Sequence, residues 1–183
     1  MTELSDNELL DMYDHEQQRE QAFSLIVEKY SKRIYWCVRK IVVSHCDTDD
    51  IVQDVFLKLW SALPSFRRQS GLYTWIYRIA VNEALTALRA RTRRSFFFSG
   101  DVSELEKVRL AEGLFDASQA ERELNLAIDS LPPKQRVVFT LRYYDQMPYE
   151  KMAEVLSTSE GALKASYHHA VQKVEQHIKL SIL

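Results

Sequence analysis

Between residues 66 and 78 aromatic rings alternate with guanidinium groups: Phe66, Arg67, Arg68, Tyr73, Trp75, Tyr77 and Arg78. Rings offer stacking surfaces to unpaired bases and arginines neutralise the adjoining phosphates, so such a run suits the holding of an opened nucleic-acid strand. Tyr73 and Tyr77 stand one helical turn apart and are the better candidates for contact with bases. Trp75, beside Ile76 and Ile79, reads more naturally as core.

A second constellation lies just upstream, in residues 47–66. Ile51, Val52, Val55, Phe56 and Leu59 recur at helical spacing on one side, while Asp50, Gln53, Asp54 and Leu57 share the other. One face is for a core; the other offers carboxylates around an outward leucine. The helix dipole favours aspartates near an N-terminus and so accounts for Asp49 and Asp50, but it gives no reason for Leu57.

Residues 148–179 carry a third pattern: a short apolar-periodic helix, a polar turn and a second helix restarting on small residues. Met152, Ala153, Leu156, Ala162, Leu163, Val171 and Val174 suit the shared interior of two crossing helices. Tyr149, Ser159, Lys164, Ser166, Tyr167 and His168 are left to face outward. Ser157 and Glu160 match a capping box at the start of the second helix. A helix-turn-helix uses this geometry to set one helix into the major groove. An ordinary helical hairpin would use it too, and the second helix has few cations for a DNA reader.

Catalysis finds little support. With four glycines in the chain there is little room for a phosphate loop, and no nucleophile motif or Ser/His/Asp order is present. Cys37 and Cys46 are too few for a disulfide framework and are not spaced as a CxxC pair, and His45 beside Cys46 lacks the partners of a zinc site. No cofactor is expected. No run of about 18 apolar residues could span a bilayer, and the acidic start lacks the features of a secretion signal, so a cytoplasmic location is expected without membrane insertion. The net charge of -2 hides a segregation. Residues 64–98 hold seven arginines against one glutamate, whereas residues 100–123 hold seven acids against three bases. Positive potential is thereby concentrated where phosphates would be held.

These groups need helices to position them. Glycine and proline are scarce and apolar residues recur at three and four, which predicts an all-α chain of two small helical domains joined by a flexible linker. Residues 1–91 form the first domain. Ser5 and Glu8 cap a short helix; Phe23, Ile26, Val27 and Tyr30, then Ile34, Val38, Ile41 and Val42, mark the next two. Thr48 caps a helix ended by Pro64, and Ser70 or Gly71 opens a long one to about Arg91. An acidic linker occupies residues 92–117. Residues 118–183 form the second domain, opened by a Ser118–Glu121 capping box, with Pro132 and Pro133 in the first turn of the helix before the helix-turn-helix.

In order along the chain, DDIVQDVFLKLW, FRRQSGLYTWIYRIAVNEAL, LPPKQRVVFTLRYYDQMPYEKMAEVL and SEGALKASYHHAV resemble regions two and four of an extracytoplasmic-function sigma factor, a bacterial transcription initiation factor. The resemblance covers most of residues 20–178. It implies a non-enzymatic protein that binds core RNA polymerase at the beta-prime clamp helices and the beta flap and directs it to promoter DNA. By the same resemblance Asp50, Gln53, Asp54 and Leu57 contact the clamp helices. Arg67, Arg68, Tyr73, Tyr77, Arg78 and Asn82 melt the downstream (-10) element. Ser159, Glu160, Lys164, Ser166, Tyr167 and His168 face the upstream (-35) duplex. Family members often carry threonine, serine and arginine near positions 162, 165 and 166, where this chain has Ala162, Ala165 and Ser166. The resemblance also implies an anti-sigma partner. An independent DNA-binding regulator would account for residues 148–179 but not for the acidic helix or the aromatic–arginine run. A helical adaptor without a nucleic-acid role, its histidines and lysines merely solvated, would show no salt-sensitive retention on DNA in any complex.

Overall fold

A computed structural model of the chain describes residues 4–42, 45–97 and 119–182. Among these the regular structure is helical. Helix α1 (Asp6–Asp14) starts at the expected capping box: the Ser5 amide donates to Glu8 Oε2 at 2.7 Å and the Glu8 amide to Ser5 Oγ at 3.3 Å. Leu9, Leu10 and Tyr13 are its buried face.

Helix α2 (Arg19–Val42) is one element where two were expected. Ala22, Ile26, Tyr30, Ile34, Val38 and Ile41 are buried along it. The stripe keeps helical period without a break, and no glycine or proline interrupts it, so a single helix buries the whole row.

Helix α3 (His45–Ala62) begins upstream of Thr48, which is fully buried within the helix instead of capping its end. Tertiary burial overrides the local capping preference there. A 3-10 turn over Leu63–Ser65, with Pro64 in it, closes α3 as expected.

Helix α4 (Leu72–Phe97) opens at Gly71, whose carbonyl accepts from the Trp75 amide at 3.1 Å. It runs six residues past the expected end at Arg91 because arginines are good helix formers and nothing there breaks the ladder. The expected linker therefore loses residues 92–97 to α4; its remaining residues and the Ser118 cap lie outside the described residues.

The second half comprises α5 (Gln119–Asp129), α6 (Pro133–Tyr143), α7 (Tyr149–Leu156) and α8 (Glu160–Ile182). Pro132 caps α6 and Pro133 is its first residue, where no hydrogen bond is lost. Ala127, Ile128, Leu131, Phe139, Ala170 and Val174 make a small core of their own.

The two halves share a larger core. Val137, Val138, Leu141, Met147, Met152, Val155 and Leu163 belong to the same buried cluster as Ile26, Ile34, Val55 and Ile76. Helix α6 lies against α2 and α4, and α7 against α4. Polar contacts cross the same seam. Arg136, 5% exposed, pairs with Asp129 at 2.7 Å and donates from Nη1 to the Ile41 carbonyl at 3.4 Å. Burial pushes its guanidinium below its ordinary value and Asp129 pulls it back up, which is how a buried cation is tolerated. Lys40 pairs with Asp145 at 3.2 Å.

Candidate nucleic-acid interface

Helix α3 separates its two sides as its spacing demands. Ile51, Val55 and Leu59 are buried, whereas Asp50, Gln53 and Asp54 are exposed and Leu57 is 58% exposed. An open groove of about 580 Å³ runs beside it, lined by Asp54, Leu57, Lys58, Ser61, Ile79 and Asn82 among others. Lys58 pairs with Glu83 at 2.6 Å across the groove and ties α3 to α4. Asn82 thus shares a groove with Leu57 and Asp54. Trp60, one turn beyond Leu57, is 38% exposed and braced edge-on by Phe23 at 4.9 Å. Trp60 is not among the expected contacts, although its i, i+3 spacing from Leu57 puts it on the same ridge.

The loop between α3 and α4 carries Arg67 and Arg68, both exposed. Arg68 has a left-handed backbone (φ 54) and its two terminal nitrogens reach Asp11 at 2.6 Å and Asp14 at 2.7 Å. Helix α1 therefore holds this loop from the side. Phe66 stacks on Trp75 with centroids 4.5 Å apart, and Trp75 packs against the core, as read from the sequence.

Tyr73 and Tyr77 do share a face, with centroids 4.3 Å apart, but that face is turned inward. Tyr73 is half-buried and Tyr77 only 4% exposed. Burial, with the neighbouring Cys37 thiol, pushes the Tyr77 hydroxyl well above its ordinary value. In this arrangement Tyr77 is closed to bases, a correction to the expectation from spacing. It lies on the stripe that α4 turns to the bundle, next to Ile76, Ala80 and Val81. Arg78 is also engaged: its Nη2 donates to the Glu154 carbonyl at 2.7 Å, and Thr74 Oγ1 lies 3.4 Å from Glu154 Oε2. Helix α7 thus sits on the first turns of α4.

The helix-turn-helix is built around Ser157, which takes the left-handed conformation (φ 50, ψ 47) that ends α7. The Ser157–Glu160 capping box is absent, because Glu160 is the first residue of α8 and cannot reach back as an N3 side chain does. Ser159 is the cap instead, its Oγ accepting from the Ala162 amide at 3.3 Å. Ala162, expected in the interior, is exposed, and Val155 is buried in the interior with Met152 and Leu163. Ser159, Glu160, Lys164 and His168 are exposed; Ser166 and Tyr167 are half-buried. Tyr167 stacks on Phe139 at 5.9 Å, and Lys164 pairs with Glu160 at 3.1 Å. One of the three lysines of this helix is therefore internally compensated. Among the described residues no group of His, Cys, Asp and Glu is arranged to hold a metal ion. None of their helices is long and apolar enough to cross a membrane.

This is an all-α protein in which a bundle with a carboxylate–leucine face is joined to a helix-turn-helix. Comparison with known families specifies the kind. Residues 26–94 match sigma-70 region 2 and residues 121–174 match sigma-70 region 4. The chain is 33% identical over 169 residues to the ECF RNA polymerase sigma-E factor of Escherichia coli, covering 87% of this chain and 88% of that one. It is 29% identical over 189 residues to the RNA polymerase sigma-H factor of Pseudomonas aeruginosa, covering 98% and 96%. Its fold resembles CnrH, solved in complex with the cytosolic domain of CnrY (TM-score 0.64, 23% identity, 96% and 97% covered). It also resembles the sigma factor RpoE, solved with the anti-sigma factor NepR from Bartonella quintana (TM-score 0.64, 20% identity, 86% and 96% covered). The chain belongs to the sigma-70 family, in its extracytoplasmic-function group, and directs RNA polymerase to promoters.

Proposed function

We propose that the two halves divide promoter recognition: residues 1–91 dock on polymerase and open the downstream element, and residues 118–183 read the upstream element as duplex. The observation that carries this reading is Leu57, 58% exposed among Asp50, Gln53 and Asp54 on a helix whose other side is fully committed to the core. Carboxylates steer the approach to a basic partner surface, and the leucine supplies a desolvated anchor. The partner is the beta-prime clamp-helix pair, with the beta flap receiving the second half.

Arg67 and Arg68 take the phosphates of the opened strand beside Tyr73, with Arg78 and Asn82 further along α4. Tyr77 joins them only as support, or after α7 lifts. Unpairing a base costs a few kcal/mol, which stacking and phosphate contacts offset. On the duplex, Lys164 and the Ser159–Glu160 end of α8 meet phosphates while Ser166, Tyr167 and His168 lie toward the groove. Because Arg78 and Thr74 contact Glu154, simultaneous engagement of both elements requires α7 to part from α4. An anti-sigma factor that keeps the halves together would hold the protein inactive.

Sigma-free core polymerase, the purified chain and a library of promoter fragments test the reading directly. Transcripts starting at a fixed distance from a shared two-part motif are expected. Output no greater than that of core alone would refute it.

A further inference from the structure

Trp36 is 47% exposed, and among the large apolar side chains of α2 it alone faces out. Tyr35 meets it edge-on, centroids 5.5 Å apart at 86°, and limits its motion. On a helix the positions three and four residues away lie on the same face, one turn to either side. Around Trp36 these four positions are Lys32, Arg33, Arg39 and Lys40, all cationic. The square spans nine residues, roughly 12 Å along the axis.

Residues 29–40 carry five cations and no acid, in a chain of net charge -2. Lys29 is compensated by Asp6 at 2.9 Å. Lys32 and Arg33 are exposed, and Lys40 reaches Asp145 across the seam between the halves, a contact that their parting would release. Resting on the division of labour above, we propose that this face of α2 is a second strand-binding site: Trp36 stacks on an unpaired base of single-stranded DNA while the cations around it neutralise the flanking phosphates.

Two observations select that occupant. The centre of a protein interface is depleted in charge, whereas Trp36, with the half-buried Tyr35 against it, is ringed by four cations. A duplex offers no free base face, so an exposed indole fits a strand already opened.

The test uses holoenzyme and a promoter recovered from the transcription screen, with 2-aminopurine placed at successive positions of the displaced strand. Wild type should quench the probe at one or two positions downstream of the opened element. Trp36→Ala should abolish that quenching and shorten the open-complex lifetime about tenfold, the size of one lost base stack, while Trp36→Phe retains both. Lys32→Gln and Arg33→Gln should each lower the salt dependence of single-strand binding by about 0.7 in the logarithmic slope. Unchanged quenching and lifetime in Trp36→Ala, with wild type opening the promoter normally, overturns the site and leaves the broader reading intact. Loss of core-polymerase affinity in Trp36→Ala without loss of quenching makes the face a protein contact and also overturns it. A wild-type holoenzyme that opens no promoter sinks both.

Discussion

The outward face of α3 and the outward face of α8 are both polar helix surfaces, yet they stand on different foundations. Behind α3 lie Ile26, Ile34, Val55, Leu59 and Ile76, a deep layer of large branched side chains. Behind α8 lies a core built from Ala127, Ile128, Leu131, Phe139, Ala170 and Val174, supplemented by what α6 and α7 share with the first half. Charge differs as well. The α3 face keeps Asp50 and Asp54 available, whereas on α8 Lys164 is offset by Glu160. One surface is a pre-formed grip; the other is a module that leans on its neighbour and brings little electrostatic affinity of its own. Releasing it leaves Met147, Met152 and Val155 in need of another cover. Such a module suits a protein that reads DNA while held by a large partner, because tethering raises its effective concentration at the duplex.

The largest expected effect tests the grip. Asp54→Arg combined with Leu57→Ala should weaken binding to core polymerase by roughly 30-fold or more, the scale of losing a hot spot, with helicity by circular dichroism unchanged. Normal co-purification of the double variant with core would remove α3 from the interface.

Next comes the shared core. Met152→Ala, at a fully buried position, should cost about 3 kcal/mol and lower Tm by roughly 6–12 °C. Hydrogen exchange should accelerate in both halves, since the methionine belongs to the cluster they share. Val174→Ala, confined to the smaller core, should cost about 2 kcal/mol and be felt only in residues 119–182. If Met152→Ala leaves the first half unaffected, the halves do not stabilise each other and the contrast drawn here disappears.

A smaller gain is expected at the turn. Ser157 holds a left-handed backbone that a side chain disfavours, so Ser157→Gly should add about 1 kcal/mol, or roughly 2–4 °C in Tm. A drop in Tm would mean that the serine side chain contributes more than its backbone costs.

The least effect concerns α1. Its Ser5 hydrogen bonds hold the Glu8 carboxyl below its ordinary value of 4.5. A depressed carboxyl contributes stability that is complete above the unfolded value and is lost as pH falls through the folded one. Amide exchange at the start of α1 should therefore quicken below about pH 4.5, and Glu8→Gln should remove that pH dependence. An unchanged pH profile in Glu8→Gln would dissociate the cap from the titration.

Much of this was legible because helix signals are local. The Ser5–Glu8 box, the prolines at 132 and 133 and the two sides of α3 are each encoded within one or two turns, and the structure reproduces them. Misreadings arose where a local signal met a distant neighbour. Thr48 looked like a cap until burial claimed it, and the Ser157 box gave way to Ser159 once α8 began at Glu160.

Spacing could say that Tyr73 and Tyr77 share a face, but not that Tyr30 and Cys37 of α2, with Asp145 after α6, would stand against it. It could assign Met152 and Leu163 to an interior without saying whose interior, and it passed over Val155 beside them. Periodicity along one helix specifies which side chains point together, since that depends on rise and rotation per residue alone. What lies opposite them depends on chain segments a hundred residues away: Arg78 meeting Glu154, or Lys40 meeting Asp145, is decided only when the halves pack.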